Sequence, residues 1–373
     1  MQTLSCPHPY RKRKIYNWAW KSPKYVYNFM LILSVMLQIL WIVLMSNTRR
    51  EITSLIFVLI QISAHISVFR SRHCITSLLK RISDIFKPLN SIHRWKRLKT
   101  GILIYCICGC IIAPVLVVTY YNTKMRTNGH KNLRNSPYIT EHFKELCVSI
   151  LDVWYALNVF AQYVTCVPFI GYYCFVCVYM KHLLLEFVSK SQILITRRDY
   201  QTIIEVYQEI TQTISFADNF LSYPAFVNVL CSMVGLFWAS YSLLFFLSED
   251  SVSSVYLFGV LILYSILLLI IMLPASAVNK AVDLAKNTLN SLPGWFPDRY
   301  ETLKLIVLKK FKQQQPCLTL WKVYRIDKPL LVSTLGTLVT YGFLVGTLGT
   351  VRSSRSNAAV YPNIANGSLN VCH

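Results

Sequence analysis

The chain has 373 residues, of which 54% are hydrophobic and only 14% are charged. A soluble protein of that composition would expose too much apolar surface, so we predict an integral membrane protein. The formal net charge of +22 is divided among separate segments instead of lying along one helix, which excludes a nucleic-acid partner and indicates attraction to membrane lipids with anionic headgroups.

Seven apolar segments are long enough to cross a hydrocarbon core about 30 Å thick, which requires about 20 residues. They cover residues 25–45, 52–69, 102–121, 150–180, 226–247, 255–277 and 330–350. Residues 1–24 are basic and lack a cleavage site behind a short apolar stretch, so we do not interpret them as a removable signal peptide. The predicted fold class is an all-α membrane protein with seven transmembrane helices in one domain, residues 1–373.

The basic residues are sorted to one side of the predicted membrane. Residues 1–24 and the second, fourth and sixth loops hold 29 of the 38 Lys and Arg residues. Because cytoplasmic loops retain Lys and Arg, this distribution places the N-terminus in the cytoplasm and the tail, residues 351–373, outside the cell. The orientation is the reverse of that of a G-protein-coupled receptor. Asn366, a candidate glycosylation site, falls in the outer tail.

The fourth to sixth spans are predicted to continue as helices into the cytoplasm. Apolar residues recur at spacings of three and four beyond the membrane, and after a break at Pro293 and Gly294 a further cytoplasmic helix is predicted over residues 293–329. Such helices need partners, so we expect an oligomerisation layer, although helices lying on the membrane surface have the same pattern. The apolar positions are Ile203, Val206, Ile210, Ile214, Val278, Val282, Leu284 and Leu289.

Polar and aromatic residues form stripes in the outer halves of the third to sixth spans. A polar stripe inside a membrane bundle normally faces protein or water, and aromatic walls with one carboxylate suit a small amphipathic or basic organic ligand. The competing interpretation is an aromatic belt, because Tyr and Trp also collect at membrane surfaces without a ligand. The candidate ligand-binding residues are Tyr121, Asp152, Tyr155, Asn158, Gln162, Trp238, Tyr241, Phe245 and Tyr264.

No pattern in the sequence indicates catalysis or metal binding. The pair Cys174 and Cys177 has no second Cys pair or His at zinc-ligand spacing. No phosphate loop and no Ser, His and Asp set falls on one side of the predicted membrane. We therefore predict a protein that is not an enzyme and has no metal and no cofactor.

The last predicted span is apolar but rich in glycine, serine and threonine. Gly342, Gly346 and Gly349 share one face, where small residues let helices approach closely. Two interpretations stay open. The span packs tightly within one bundle, or its small face packs against protein while the other face lines a pore that a leucine ring closes by excluding water. The candidate pore and gate residues are Tyr341, Leu344, Thr347, Leu348 and Val351.

The run from Tyr324 to Tyr341 resembles the C-terminal signature of arthropod gustatory receptors. In that signature a Thr-Tyr pair is followed, after five mostly apolar residues, by Gln-Phe. Thr340 and Tyr341 match the first pair, whereas Thr347 and Leu348 occupy the positions of the second. The resemblance extends over nearly the whole chain. It includes the chain length, the seven spans, their orientation and the long extension after the fourth span.

The resemblance implies a ligand-gated, nonselective cation channel in the plasma membrane, opened by small organic tastants and permeable to cations. It implies a homo- or hetero-tetramer of related receptor subunits, with each last span lining the pore and Thr347 and Leu348 at the constriction. The alternatives are an odorant-receptor-type channel subunit and a secondary transporter. Transporters often contain two homologous halves, and we find no internal repeat.

Replacing Leu348 with alanine is expected to produce a current without ligand, because a smaller ring of side chains retains water in the closed pore. The measurement is whole-cell resting conductance at matched surface expression. Resting conductance equal to that of the wild type would place the gate elsewhere.

Overall fold

Four long helices dominate the described part of the chain. The computed structural model describes residues 92–123, 140–196, 200–246, 251–291 and 316–337, and scattered positions between 29 and 81, between 126 and 131, and at 340. The helices are α1 (Ile92–Tyr121), α2 (Glu141–Thr196), α3 (Tyr200–Phe246) and α4 (Ser251–Ser291). Two short strands follow, β1 (Thr319–Leu320) and β2 (Tyr324–Arg325), and then helical residues 328–337, here α5.

Within the described residues, four helices are long and apolar enough to cross a membrane. These segments are Leu103–Tyr121, Cys166–Leu194, Gln201–Leu243 and Ser251–Ser291, and they overlap the predicted third to sixth spans. The described positions between 29 and 39 and between 56 and 70 are also helical. Most of the first and last predicted spans and half of the second lie outside the described residues.

The helices α2, α3 and α4 are much longer than one bilayer crossing. They contain 56, 47 and 41 residues, which at 1.5 Å per residue correspond to about 84, 70 and 60 Å. Short connections at 197–199 and 247–250 make consecutive helices antiparallel neighbours. The C-terminal halves of α2 and α4 therefore meet the N-terminal half of α3 at one end of the bundle.

The apolar core continues through this end of the bundle. The predicted apolar positions of α3 between 203 and 214 are buried or half-buried, and Val278, Val282 and Leu289 of α4 are buried in the same cluster. The fourth to sixth spans therefore belong to longer helices with a buried apolar face, whereas their extension into the cytoplasm and the oligomerisation layer stay predictions. Leu284 was predicted on the same face but is 46% exposed, because two residues after Val282 correspond to a rotation of about 200° around the helix.

Two glycines bring α1 and α2 into close contact. A Cβ atom at Gly109 of α1 would lie 2.4 Å from Cγ1 of Val167, and one at Gly171 of α2 would lie 2.7 Å from the ring of Tyr105. Each helix thus presents a glycine to a bulky side chain of the other, which is the use of small residues common in membrane bundles. The crossing fixes the position of the C-terminal end of α1 relative to α2.

The prediction of a continuous helix over residues 293–329 is wrong for residues 316–327. There β1 and β2 pair in antiparallel register, with Thr319 opposite Arg325 and Leu320 opposite Tyr324. Pro316 has no backbone N–H, so it cannot donate the bond that a helix continuing through it requires. Residues 293–315 lie outside the described residues.

The turn of this hairpin has an unfavourable backbone conformation. The N–H of Val323 donates to the carbonyl of Leu320 at 3.1 Å, and Trp321 and Lys322 have φ angles of 53° and 57°. This left-handed region costs a residue with a side chain roughly 1 to 2 kcal/mol. Stacking of Trp321 on Phe226 of α3, with ring centroids 5.2 Å apart, contributes to holding the turn in place.

A buried amide attaches the hairpin to α4. Asn279 is fully buried, and its Nδ2 donates to the carbonyls of Leu318 at 3.0 Å and Ile326 at 2.9 Å. Its Oδ1 accepts from the N–H of Leu318 at 2.8 Å. On α3, Oδ1 of Asp218 accepts from the N–H of Thr319 at 2.7 Å. The hairpin is therefore fixed to α3 and α4 immediately before α5 begins.

Replacing Asn279 with alanine is expected to lower the free energy of unfolding by roughly 3 kcal/mol, because the carbonyl of Ile326 and the N–H of Leu318 lose their partner. The carbonyl of Leu318 loses one of two donors and keeps the N–H of Ile326 at 3.2 Å. The measurement is the midpoint of thermal unfolding of the detergent-solubilised protein. Asn219→Ala is the matched control, since it removes only the exposed bond that Lys322 Nζ donates to Asn219 Oδ1 at 2.7 Å. Equal midpoints for the two variants would show that Asn279 does not hold the hairpin.

Candidate functional site

Tyrosines from α1, α2 and α4 meet near the C-terminal end of α1 and the N-terminal end of α2. Residues 122–140 connect these two ends. The rings of Tyr120 and Tyr155 stack with centroids 3.6 Å apart and planes inclined by 20°. The ring of Tyr256 from α4 lies 6.1 Å from that of Tyr120, and its hydroxyl hydrogen-bonds that of Tyr155. Together with Tyr264, which packs beside them, these residues are the tyrosine cluster.

Apolar side chains surround the tyrosine cluster. Ala239 of α3 and Leu257 and Val260 of α4 are buried there. At Gly235 of α3 a Cβ atom would lie 2.5 Å from the ring of Tyr264, so the absence of a side chain is what allows that ring to lie against α3. The site thus combines aromatic walls with phenol hydroxyls, which suits a small organic molecule that also forms hydrogen bonds.

A charged group adjoins the tyrosine cluster. Arg126 donates from Nε to Oδ1 of Asp152 at 3.0 Å and from Nη2 to Oδ2 at 2.5 Å, and Nε2 of His130 lies 3.1 Å from the same Oδ1. The hydroxyl of Tyr121 donates to the backbone carbonyl of Asp152 at 3.0 Å. Tyr121 also contacts Tyr120 edge-on at 6.2 Å. We call Tyr121, Arg126, His130 and Asp152 the Asp152 clamp.

The clamp changes the role expected for Asp152. Its carboxylate forms an ion pair with Arg126. The side chain of Asp152 is only 15% exposed and that of Arg126 is 30% exposed. The hydrogen bond to Asp152 raises the pKa of Arg126, so the guanidinium remains charged. A basic ligand would have to displace Arg126 from this carboxylate. The geometry therefore favours a neutral ligand in the tyrosine cluster, whereas Asp152 fastens the α1–α2 connection to α2.

The structure brings some predicted ligand residues together and separates others. Tyr121 and Asp152 lie in the clamp, and Tyr155 and Tyr264 lie in the tyrosine cluster. Trp238 and Tyr241 of α3 are outside the cluster and 39% and 38% exposed, because the face of α3 that packs at this level carries Gly235 and Ala239. The side chains of Asn158, Gln162 and Phe245 lie outside the described residues.

The residues predicted to form the pore also lie outside the described residues, as does the sequon at Asn366. Among described residues of the last span, Thr340 Oγ1 donates to the carbonyl of Gly336 at 2.9 Å. The predicted positions that are not described are Tyr341, Gly342, Leu344, Gly346, Thr347, Leu348, Gly349 and Val351.

Arg126, His130 and Tyr256 were missed by the sequence analysis. Helical periodicity is the signal that could have identified Tyr256. This residue precedes Val260 and Tyr264 at successive spacings of four on the sixth span. Arg126 and His130 are helical residues four positions apart in the α1–α2 connection, so they share one side of a helix, but this spacing does not indicate which residue they face. Their approach to Asp152 depends on the tertiary structure.

Among the described residues, no group of three or more His, Cys, Asp or Glu side chains is placed to hold a metal ion. Of the two cysteines considered in the sequence, Cys177 is a buried free thiol and Cys174 is a half-buried one. Burial among apolar side chains is the usual environment of a packing cysteine.

Comparison with known proteins gives one family and several solved structures of similar fold. A family model described as 7tm chemosensory receptor matches residues 24–343. The insect olfactory receptor OR5 from Machilis hrabei is similar with a TM-score of 0.66 at 10% identity, over 86% of this chain and 87% of that one. The same receptor in complex with eugenol gives 0.63 at 11% identity, over 93% of both chains. No curated protein matches the chain.

Replacing Arg126 with glutamine is expected to lower the free energy of unfolding by about 1 to 2 kcal/mol, because the half-buried carboxylate of Asp152 loses its charged donor. Lys131→Gln is the matched control, since it removes an equal charge from an exposed position of the same connection. Thermal unfolding midpoints in detergent measure both changes. If Lys131→Gln has the same effect, the loss of net charge explains it and the clamp does not.

Proposed function

The chain belongs to the 7tm chemosensory receptor family, and on that basis we propose that it is a gustatory-type receptor acting as a ligand-gated, nonselective cation channel. The proposal includes a homo- or hetero-tetramer in the plasma membrane, with the N-terminus in the cytoplasm. The Thr340-Tyr341 pair supports the gustatory type, and the sorting of Lys and Arg supports the orientation. The likeness to the olfactory receptor supports the fold alone.

The observation that carries the proposal is the tyrosine cluster between α1, α2 and α4. A ligand that separates Tyr256 from Tyr155 displaces α4 relative to α2. From Tyr256, α4 continues as one helix through Pro274 to Asn279, a distance of about 35 Å. Asn279 holds the hairpin that precedes α5, so a shift of α4 reaches the start of the last span.

The chemistry of the cluster favours a neutral, small aromatic ligand. Tyrosine faces stack on aromatic rings, and the hydroxyls of Tyr155 and Tyr256 exchange hydrogen bonds with a polar substituent. The neighbouring carboxylate is already paired with Arg126. One of the similar structures contains eugenol, which supports a small organic ligand for this chain as well. Such a ligand opens the channel only to the extent that it binds the open state more tightly than the closed one.

The test is whole-cell current from cells that express only this chain, with a tag on the predicted outer tail confirming surface delivery and with G-protein signalling blocked. A panel of small neutral and cationic aromatic compounds is applied rapidly. A fast current that reverses near zero membrane potential and depends on ligand supports a nonselective cation channel. Uptake of the compound without such a current would contradict the channel and favour a transporter.

Replacing Gly235 with alanine is expected to lower ligand sensitivity roughly fivefold or more, because the new Cβ forces the ring of Tyr264 into the cluster and such overpacking costs about 1 to 3 kcal/mol. Gly259→Ala on α4 is the matched control, since nothing lies within 4 Å of its added Cβ. The measurement is the half-maximal ligand concentration at matched surface expression. Unchanged sensitivity of Gly235→Ala would show that the ligand binds elsewhere.

A further inference from the structure

A groove of about 470 Å³ opens between the helical residues 59–70 and α3. Its walls include Leu59, Ile62, Ile66 and Phe220, and Arg70 lies at one end. We propose that this groove binds an anionic phospholipid, with an acyl chain along the apolar wall and the phosphate held by Arg70. The proposal is independent of channel activity, because it concerns a different surface from the tyrosine cluster.

The dimensions of the groove fit one leaflet of a bilayer. Leu59, Ile62, Ile66 and Arg70 follow one another at spacings of three and four, so they share one face of their helix. From 59 to 70 the helix rises about 16 Å, close to half of a hydrocarbon core about 30 Å thick. An acyl chain that follows this wall therefore ends near Arg70.

Arg70 lies where the chain changes from apolar to basic. It directly follows the apolar segment 52–69 and is the first of nine Lys and Arg residues in 70–101, on the side that charge sorting predicts to be cytoplasmic. Its side chain is exposed. A guanidinium binds phosphate oxygens through two parallel hydrogen bonds, and anionic lipids are concentrated in the cytoplasmic leaflet.

Exposed aromatic side chains of the hairpin lie beside the groove. Trp321 and Tyr324 are each 57% exposed, and Trp and Tyr collect at the boundary between lipid tails and water. Trp321 contacts Tyr223 edge-on at 6.4 Å, and Tyr223 is also a wall of the groove, where its hydroxyl is hydrogen-bonded to Ser63 at 2.8 Å. The groove and the hairpin therefore share a side chain.

The experiment measures lipid retention by the full-length protein, purified in mild detergent with phosphatidylglycerol and phosphatidylcholine at equal concentration, by native mass spectrometry. We expect the wild type to retain phosphatidylglycerol preferentially and Arg70→Gln to retain it roughly fivefold less, the effect of removing about 1 kcal/mol of attraction. Arg81→Gln is the matched control. Its guanidinium lies over the ring of Phe216 at 4.6 Å, outside the groove walls, and we expect retention close to wild type.

A second variant tests the apolar wall without changing charge. Ile66 is 52% exposed, so Ile66→Trp is expected to fold and to fill the groove, and phosphatidylglycerol retention should fall although Arg70 is intact. Equal retention of the two lipids by the wild type, or equal losses for Arg70→Gln and Arg81→Gln, would overturn the proposal in favour of nonspecific lipid contact. Retention unaffected by Ile66→Trp would overturn the acyl-chain position.

Discussion

The buried side chain of Asn279 is the interaction on which the connection between the helical bundle and the last span depends. Buried backbone groups that are not paired within a helix need other partners, because an unpaired buried polar group costs free energy. The hairpin at 318–326 contains such groups, since Leu318 and Ile326 are buried. Asn279 pairs with three of its backbone groups, and Asp218 pairs with a fourth. A non-helical segment can therefore exist between two helical ones and still be fixed in position.

The same attachment gives α4 a mechanical role. One end of α4 contributes Tyr256 and Tyr264 to the tyrosine cluster, and the other end carries Asn279. Because both groups belong to one helix, a displacement of α4 at the cluster would reach the hairpin. The Asp152 clamp complements this arrangement, since it holds α1 and α2 together on the other side of the cluster.

Similarity to the olfactory receptor at 10% identity shows which properties of the sequence define this fold. Few individual side chains are shared, yet the fold is similar over 86% of this chain and 87% of that one. Many different sequences can satisfy the requirements of such a fold. These are apolar segments long enough to cross the membrane, amphipathic helical extensions, and small residues where helices cross.

The sequence by itself determined the helical class, the third to sixth spans, their extensions and the apolar faces of those extensions. These properties follow from segment length and from periodicity, which act locally along the chain. The tertiary structure decided that Asp152 is paired with Arg126, that Trp238 and Tyr241 lie outside the tyrosine cluster, and that residues 316–327 form a hairpin. Each of these depends on contacts between residues far apart in the chain, such as Asn279 with Leu318, and no local pattern specifies which groups meet.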